Sequence, residues 1–286
     1  MSEDSQKFCD LGEDHLRRAQ PEEALHWYER AVEVDPENPD AWSGRGQACY
    51  HLGQLERADK CFRRALRFME PRVRSRPPRR GWWSDDTARR YLRILHWRAL
   101  CRFWLGQHDE AARLFRRILK LAPADPLEVR FLLGETYFRM GNVESAIREF
   151  EQAGDDPDAI TNLGLAFFFK GDFVRSVNAF RQAAFENVYL VRKLANLKPL
   201  EDVPSSRATH PRGLDHEDAS LEYMDRCGDL WLGRPVLRKW VRQIYLHPIV
   251  QEDLARHLEH VRTLEMQTLA PGEAAALEGA NAALRS

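Results

Sequence analysis

The feature that most constrains this chain is a recurrence. Phe8, Leu11, Gly12 and His15 are followed by Ala24, Tyr28, Ala31 and Pro36. Thirty-four residues later come Trp42, Gly46 and Cys49, then Ala58, Phe62 and Ala65, with Pro71 one place late. Each unit has the period of two amphipathic helices, with Gly and Ala where helices approach closely and larger residues between them as knobs. Pro36 and Pro39 punctuate the link, because proline donates no helix hydrogen bond. The pattern resumes after an interruption, with Leu95, Ala99, Gly106, Ala111, Phe115, Ile118 and Pro123. It continues with Leu133, Gly134, Tyr137, Gly141, Ala146, Phe150 and Ala153, then Leu163, Gly164, Phe167, Gly171, Ser176, Phe180 and Ala183. The third unit departs most, with Arg98 and Ala99 where Leu-Gly is usual, and the fourth is about four residues short. Losing one helical turn there predicts a tilt of the next unit.

The period and residue types resemble the tetratricopeptide repeat, a helix–turn–helix unit of 34 residues. That resemblance implies an all-α fold, a right-handed superhelical solenoid of about five repeats. Each repeat then buries its apolar face on its neighbours and the ends need caps. FENVYLVRKLANLKPL, residues 185–200, reads as the capping helix. The organisation expected is repeats one and two over 1–70, an Arg/Pro-rich insertion over 71–86, and repeats three to five with the cap over 87–200. A Pro/Ser/His-rich linker over 201–214 and a helical C-terminal extension over 215–286 follow.

The insertion contains PRVRSRPPRR, whose prolines argue against a helix interior. GWWSDDTARRYLRILHW follows; Ser84 or Asp85 suits a helix N-cap, and Trp83 suits a hydrophobic staple onto the first turn. The alternative makes Trp82 and Trp83 an aromatic docking patch, with Arg76, Arg79 and Arg80 beside it. The arginine run, Arg72 to Arg80, reads first as a solvated linker, and otherwise as a phosphate contact for nucleic acid or a phosphorylation-sensitive loop around Ser75. Over 80–231 the chain also resembles the tetratricopeptide proteins related to the suppressor of tumorigenicity seven group. The likeness rests on the Trp, Thr-Arg and Tyr-Leu-Arg succession, the Pro-x-Asp and Arg-φ-Leu-Leu run, and LVRKLANLKPL followed by an acidic Tyr helix and DLW. APADPLEVR departs from that pattern, being less polar than the usual loop.

Other classes find little support. A net charge of −1 supplies no global field for nucleic acid or membrane. The polar, acidic start lacks the basic and apolar regions of a signal peptide, no apolar run approaches about 18 residues, and a cytoplasmic protein is expected. Five scattered cysteines read as free, mostly buried thiols. No phosphate loop, dinucleotide fingerprint or nucleophile elbow is present. His257 and His260, three apart, lack further ligands at a recognisable spacing, so no metal or cofactor is expected.

What remains is a surface. In such a repeat the first helix of each unit lines a groove. The off-packing positions are polar or small in the first two units, including Gln6, Cys9, Asp10, Glu13, Asp40, Gly44, Gln47 and His51. In the later units they turn aromatic. The groove residues expected to hold a partner are Trp97, Leu100, Trp104, Phe131, Glu135, Phe138, Arg139, Asn162, Leu165 and Phe169. Cys9, Glu13 and Gly44 stand where the family's carboxylate clamp needs cations and an amide, which argues against a clamp. Either another protein's segment covers the apolar strip, or the chain's own helices from 215 to 269 do. The function expected is a non-catalytic protein–protein adaptor. The partner expected is a protein or peptide segment, without membrane; the nucleic-acid reading rests on the arginine loop alone.

Overall fold

The computed structural model describes residues 2–76, 78, 81–154, 156–198 and 216–268, with side chains of the last stretch over 217–260. The chain divides into two compact units, Met1–Ala153 and Gly154–Ser286, so the boundary falls between the fourth and fifth repeats.

Among the described residues the first unit has eight helices: α1 Glu3–Arg17, α2 Pro21–Val34, α3 Pro39–His51, α4 Leu55–Ser75, α5 Asp86–Trp104, α6 His108–Leu121, α7 Val129–Arg139 and α8 Val143–Gln152. They pack as consecutive pairs, and α1, α3 and α5 also touch in succession, which builds one continuous face from the first helices of three repeats. The pairing follows from a small residue on the first helix meeting an aromatic on the second. A methyl group at Gly12 would stand 2.7 Å from the Tyr28 ring, at Gly46 2.7 Å from Phe62, and at Gly134 2.5 Å from Phe150. Such contacts are closer than carbon atoms tolerate, so glycine is what lets the helices approach. In the third repeat Ala99 and Phe115, both fully buried, hold the matching places. Helix starts are set locally. Pro21 and Pro39 occupy first-turn positions, where a missing N–H costs nothing. Asn38 caps α3 by accepting from the amides of Asp40 and Ala41. Ala19 makes the first repeat's inter-helix turn at φ 55°, a conformation that the other repeats give to glycine.

The seam differs from its sequence reading in two respects. Helix α4 does not stop before Pro71 but runs through it to Ser75. Leu66, Met69 and Val73, all buried, continue its apolar face onto α5 and offset the lost hydrogen bond. Asp85 caps α5, accepting from the Ala88 amide at 2.9 Å. Trp82 tilts against Tyr91 at 6.0 Å and Arg93 lies over Trp83 at 5.7 Å. Both tryptophans pack, partly buried, on the core. Both tryptophans therefore meet α5, Trp82 at Tyr91 and Trp83 at Arg93, and they meet it beyond its first turn. Arg76 is exposed, whereas Arg79 and Arg80 lie outside the described residues.

The second unit is α9 Pro157–Lys170, α10 Phe173–Glu186, α11 Val188–Leu194, α12 His216–Cys227, a 3₁₀ turn Gly228–Leu230, α13 Pro235–Tyr245 and α14 Pro248–Thr268. The fifth repeat, α9 with α10, closes as the others do, Gly164 against Phe180. Helix α11, expected as a cap, is itself enclosed: it packs on α10, α12 and α13, and Val188, Leu190, Val191 and Leu194 are buried. A terminal cap would keep a polar outer face. The linker expected over 201–214 and the last segment, 271–286, lie outside the described residues. Among the described residues there is no strand, no helix long and apolar enough to cross a membrane, and no cluster of three or more metal-ligating side chains. All five cysteines are free and buried.

Candidate functional site

The face shared by α1, α3 and α5 encloses an open cavity of about 650 Å³. Its floor is built from close packing between repeats. Gly44 of the second repeat lies on Tyr28 of the first, and a methyl group there would stand 2.0 Å from that ring. Cys9 and Ser43 complete the floor. Burial, then the neighbouring Asp40 and Asp10, pushes the Cys9 thiol up to about 12, and burial first, then Cys9 and acidic neighbours, raises the Tyr28 phenol as well. Both groups are neutral and inert at pH 7.

The walls carry opposite charge. Asp10, Glu13 and Asp40 stand on the α1 and α3 side, together with Arg17, which pairs with Asp14, and Arg90 and Arg93 stand on the α5 side. Arg90 bonds Asp40 at 2.9 Å, while Asp10 accepts from the Gln6 amide at 2.8 Å. Among the described residues neither Asp10 nor Glu13 forms an ion pair. Gln47 and His51 project into the same space from α3. Trp97 closes the far side, stacked on Phe62 at 6.4 Å and edge-on to Tyr50 at 5.1 Å. His96 lines the cavity next to it. Burial holds its imidazole down to about 4, so the ring is neutral at pH 7, and its enclosed Nε2 has no hydrogen-bond partner among the described residues.

The positions picked out in the first two repeats, Gln6 to Glu13 and Asp40 to His51, therefore do converge. Where a carboxylate clamp would need cations the cavity presents Cys9, Glu13 and Gly44. The aromatic positions of the later repeats behave otherwise. Trp97 lines the cavity and Leu100 packs, partly buried, on the core. Trp104 is 41% exposed. Phe131 and Glu135 are buried, so they are core rather than groove; Phe131 lies 6.5 Å from Phe150. Phe138 is partly buried, and Arg139 lies over the Phe103 ring at 5.2 Å. Sequence reasoning missed His96, Arg90 and Arg93. Helix α5 starts at Asp86 and runs 19 residues, so its first turns extend along the groove, one turn ahead of the phase read from the other repeats. The capping signal at Asp85 was the available clue.

In the second unit the equivalent face of α9 is closed by the chain itself. The Tyr223 hydroxyl donates to Asn162 Oδ1 at 2.7 Å, and Trp231 Nε1 donates to the Tyr223 oxygen at 3.0 Å. Arg226 pairs with Asp158 at 2.7 Å in a largely dry contact. Asn162 is buried beneath this cover and Leu165 of the same helix is also buried, so neither is accessible to a partner. Phe169, at the end of α9, is 45% exposed, with Arg234 over its ring at 4.8 Å.

Tetratricopeptide repeat models match residues 9–70 and 90–153. Among curated proteins the chain is 24% identical over 163 residues to a CTR9 homolog of Arabidopsis thaliana. It is 32% identical over 59 residues to Superkiller protein 3 of Saccharomyces cerevisiae. The matches take in 54% and 21% of this chain and span only 13% and 4% of those proteins. In fold it resembles MamA of Desulfovibrio magneticus, with a TM-score of 0.53 and 20% identity over 64% of this chain and 94% of that one. It also resembles a putative kinesin light chain of Podosopora anserina with nearly identical repeats, TM-score 0.51 and 17% identity over 64% and 95% of the two chains. These comparisons reach the repeat family and not the finer likeness noted over residues 80–231. Paired helices, a small residue against an aromatic in each pair, and two family matches agree: residues 9–70 and 90–153 are tetratricopeptide repeats.

Proposed function

We propose that this protein is a non-catalytic adaptor that holds a segment of a partner protein in the groove of its first three repeats. The observation that carries this reading is the cavity over α1, α3 and α5, which no described residue fills and whose polar groups do not saturate one another. A face of this kind on a rigid helical scaffold binds an extended or helical segment. Glu13 and Asp10 offer carboxylates, Gln47 an amide, and Trp97 an apolar wall. The buried thiol and phenol of the floor are held protonated, so the cavity offers a surface for recognition rather than a nucleophile.

The test is affinity capture with the full chain beside a Glu13→Arg, Gln47→Arg double variant of unchanged helicity. A protein captured by the wild type is then made as overlapping segments, and each segment is titrated against both baits by calorimetry. A segment that binds the wild type and fails to bind the variant supports the groove. Equal binding to both baits assigns the interaction to another surface and refutes this reading.

A further inference from the structure

A second cleft lies on a different part of the first unit, between α4, α5 and α6, with a volume of about 780 Å³. Its charge is one-sided. Arg63, Arg67, Arg74, Arg98 and Arg117 line it, against the single carboxylate of Glu70. Residues 63, 67, 70 and 74 recur at the spacing of one helix face, so α4 presents its cations as a stripe. Arg63 and Arg74 are eleven residues apart, about 16 Å of helix rise. Arg98 and Arg117 face that stripe from the neighbouring helices.

The arginines are held rather than neutralised. Glu70 accepts from Arg117 at 2.9 Å and from Arg74 at 3.3 Å, and Arg117 also meets the Tyr91 hydroxyl. Buried Asp59 holds Arg98 at 3.1 Å, Arg63 at 3.7 Å and Arg102 from below. One carboxylate shared by two or three guanidinium groups cannot engage all of their N–H donors, since each guanidinium carries five. Exposed Arg67, in the middle of the stripe, forms no ion pair among the described residues. The lining of this cleft thus carries a surplus of four positive charges, on a chain whose net charge is −1.

We propose that this cleft is a docking site for an extended, phosphate-bearing protein segment. Guanidinium forks match phosphate oxygens in pairs, and the fixed orientation of these side chains lowers the ordering cost of binding. The length of the stripe accommodates two or three anionic groups on about five extended residues. A nucleic-acid strand fits less well. The one aromatic of the cleft, Tyr91, is 2% exposed and its hydroxyl is engaged by Arg117, so no ring is open for bases to stack on. The inference rests on this cleft alone and is independent of the groove over α1, α3 and α5.

The experiment is fluorescence anisotropy with the full chain at low salt. The probes are a labelled eight-residue peptide of alternating phosphoserine and aspartate, the same peptide with serine, and an octauridylate of the same label. The expected result is binding of the phosphopeptide that weakens with added salt, at least about tenfold tighter than the serine peptide or the oligonucleotide. An Arg67→Glu, Arg74→Glu variant is expected to lose at least about tenfold. Arg67→Glu alone, which breaks no ion pair among the described residues, is expected to lose about threefold. An Arg18→Glu, Arg113→Glu control, with the same charge change outside the cleft, is expected to bind as the wild type. Absence of phosphopeptide binding overturns the proposal, as does equal binding by the cleft variant and wild type. An oligonucleotide that binds as tightly as the phosphopeptide makes the cleft a nucleic-acid site instead. A serine peptide that binds equally removes phosphate from the recognition.

Discussion

The first helices of the repeats present equivalent faces in the two units, and the chain treats them differently. In the first unit no described residue covers the face of α1, α3 and α5, and its polar groups line a cavity. In the second unit the face of α9 is covered by α12 and the turn that follows, and its Asn162 becomes a buried hydrogen-bond acceptor. A polar residue at a given repeat position is therefore a binding group or a core group according to what the chain lays over it. Asn162 satisfied by Tyr223 specifies the cover, since an apolar helix in its place would leave a buried amide without partners.

The largest effect that would break this contrast is removal of the cover. Trp231→Ala deletes a side chain that is 2% exposed and strips Tyr223 of a donor. It is expected to destabilise the second unit by about 3–5 kcal/mol in denaturant unfolding. Hydrogen exchange should then show loss of protection at α12 while α1 to α3 keep theirs. Unchanged stability would mean that the cover contributes little and the two faces differ less than their packing suggests.

A pH titration sharpens the open side. His96 is held near pKa 4, whereas the unfolded chain's imidazole titrates near 6.5. Between those values the unfolded state binds the extra proton, so stability rises with pH. The contribution is complete above about pH 6.5 and is lost as the pH falls toward 4, a change on the order of 3 kcal/mol. Replacing His96 by Phe should flatten that part of the stability–pH profile; an identical slope in the variant would refute the assignment.

Gly44→Ala tests the floor of the groove. The added methyl group cannot coexist with Tyr28 where it stands, and overpacking of this kind costs about 1–3 kcal/mol. Thermal unfolding reads the loss, and it should exceed the gain of up to about 1 kcal/mol that alanine brings to a helix interior. The smallest expected effect is on the rim. Glu13→Arg with Gln47→Arg should leave stability within about 0.5 kcal/mol of wild type while abolishing partner binding. A large loss of stability would make these residues structural rather than free surface.

Much of the fold was legible because repeats write the same contact several times. Gly12 with Tyr28, Gly46 with Phe62, Gly134 with Phe150 and Gly164 with Phe180 are one packing solution at a fixed spacing, and a period reveals it. What occurs once was harder to read. Pro71 suggested a break, but the burial of Met69 and Val73 on either side carries the helix past it. The longer α5 moved the groove by one turn, bringing Arg90, Arg93 and His96 to the wall in place of Leu100 and Trp104. The aromatic stripe was ambiguous in principle, because phenylalanine at helical spacing fits a site and a core equally. Phe131 proved to be core. Asn162 was decided by Tyr223, about sixty residues away and itself held by Trp231, beyond the reach of any local pattern. The polar positions of the first two repeats carried less ambiguity, since Asp10, Glu13 and Gln47 would be costly to bury without partners.

The contact between Gly44 and Tyr28 has a consequence for how such a protein can change over generations. Tyr28 belongs to the first repeat, yet the space it occupies is granted by a glycine of the second. A repeat duplicated, deleted or exchanged on its own would carry the ring away from its matching gap, or the gap from its ring. The unit of inheritance at this end of the molecule is thus the junction rather than the repeat. Chimeras cut within the link between Val34 and Pro39 should tolerate foreign neighbours only when the incoming second repeat brings a glycine in register with Gly44.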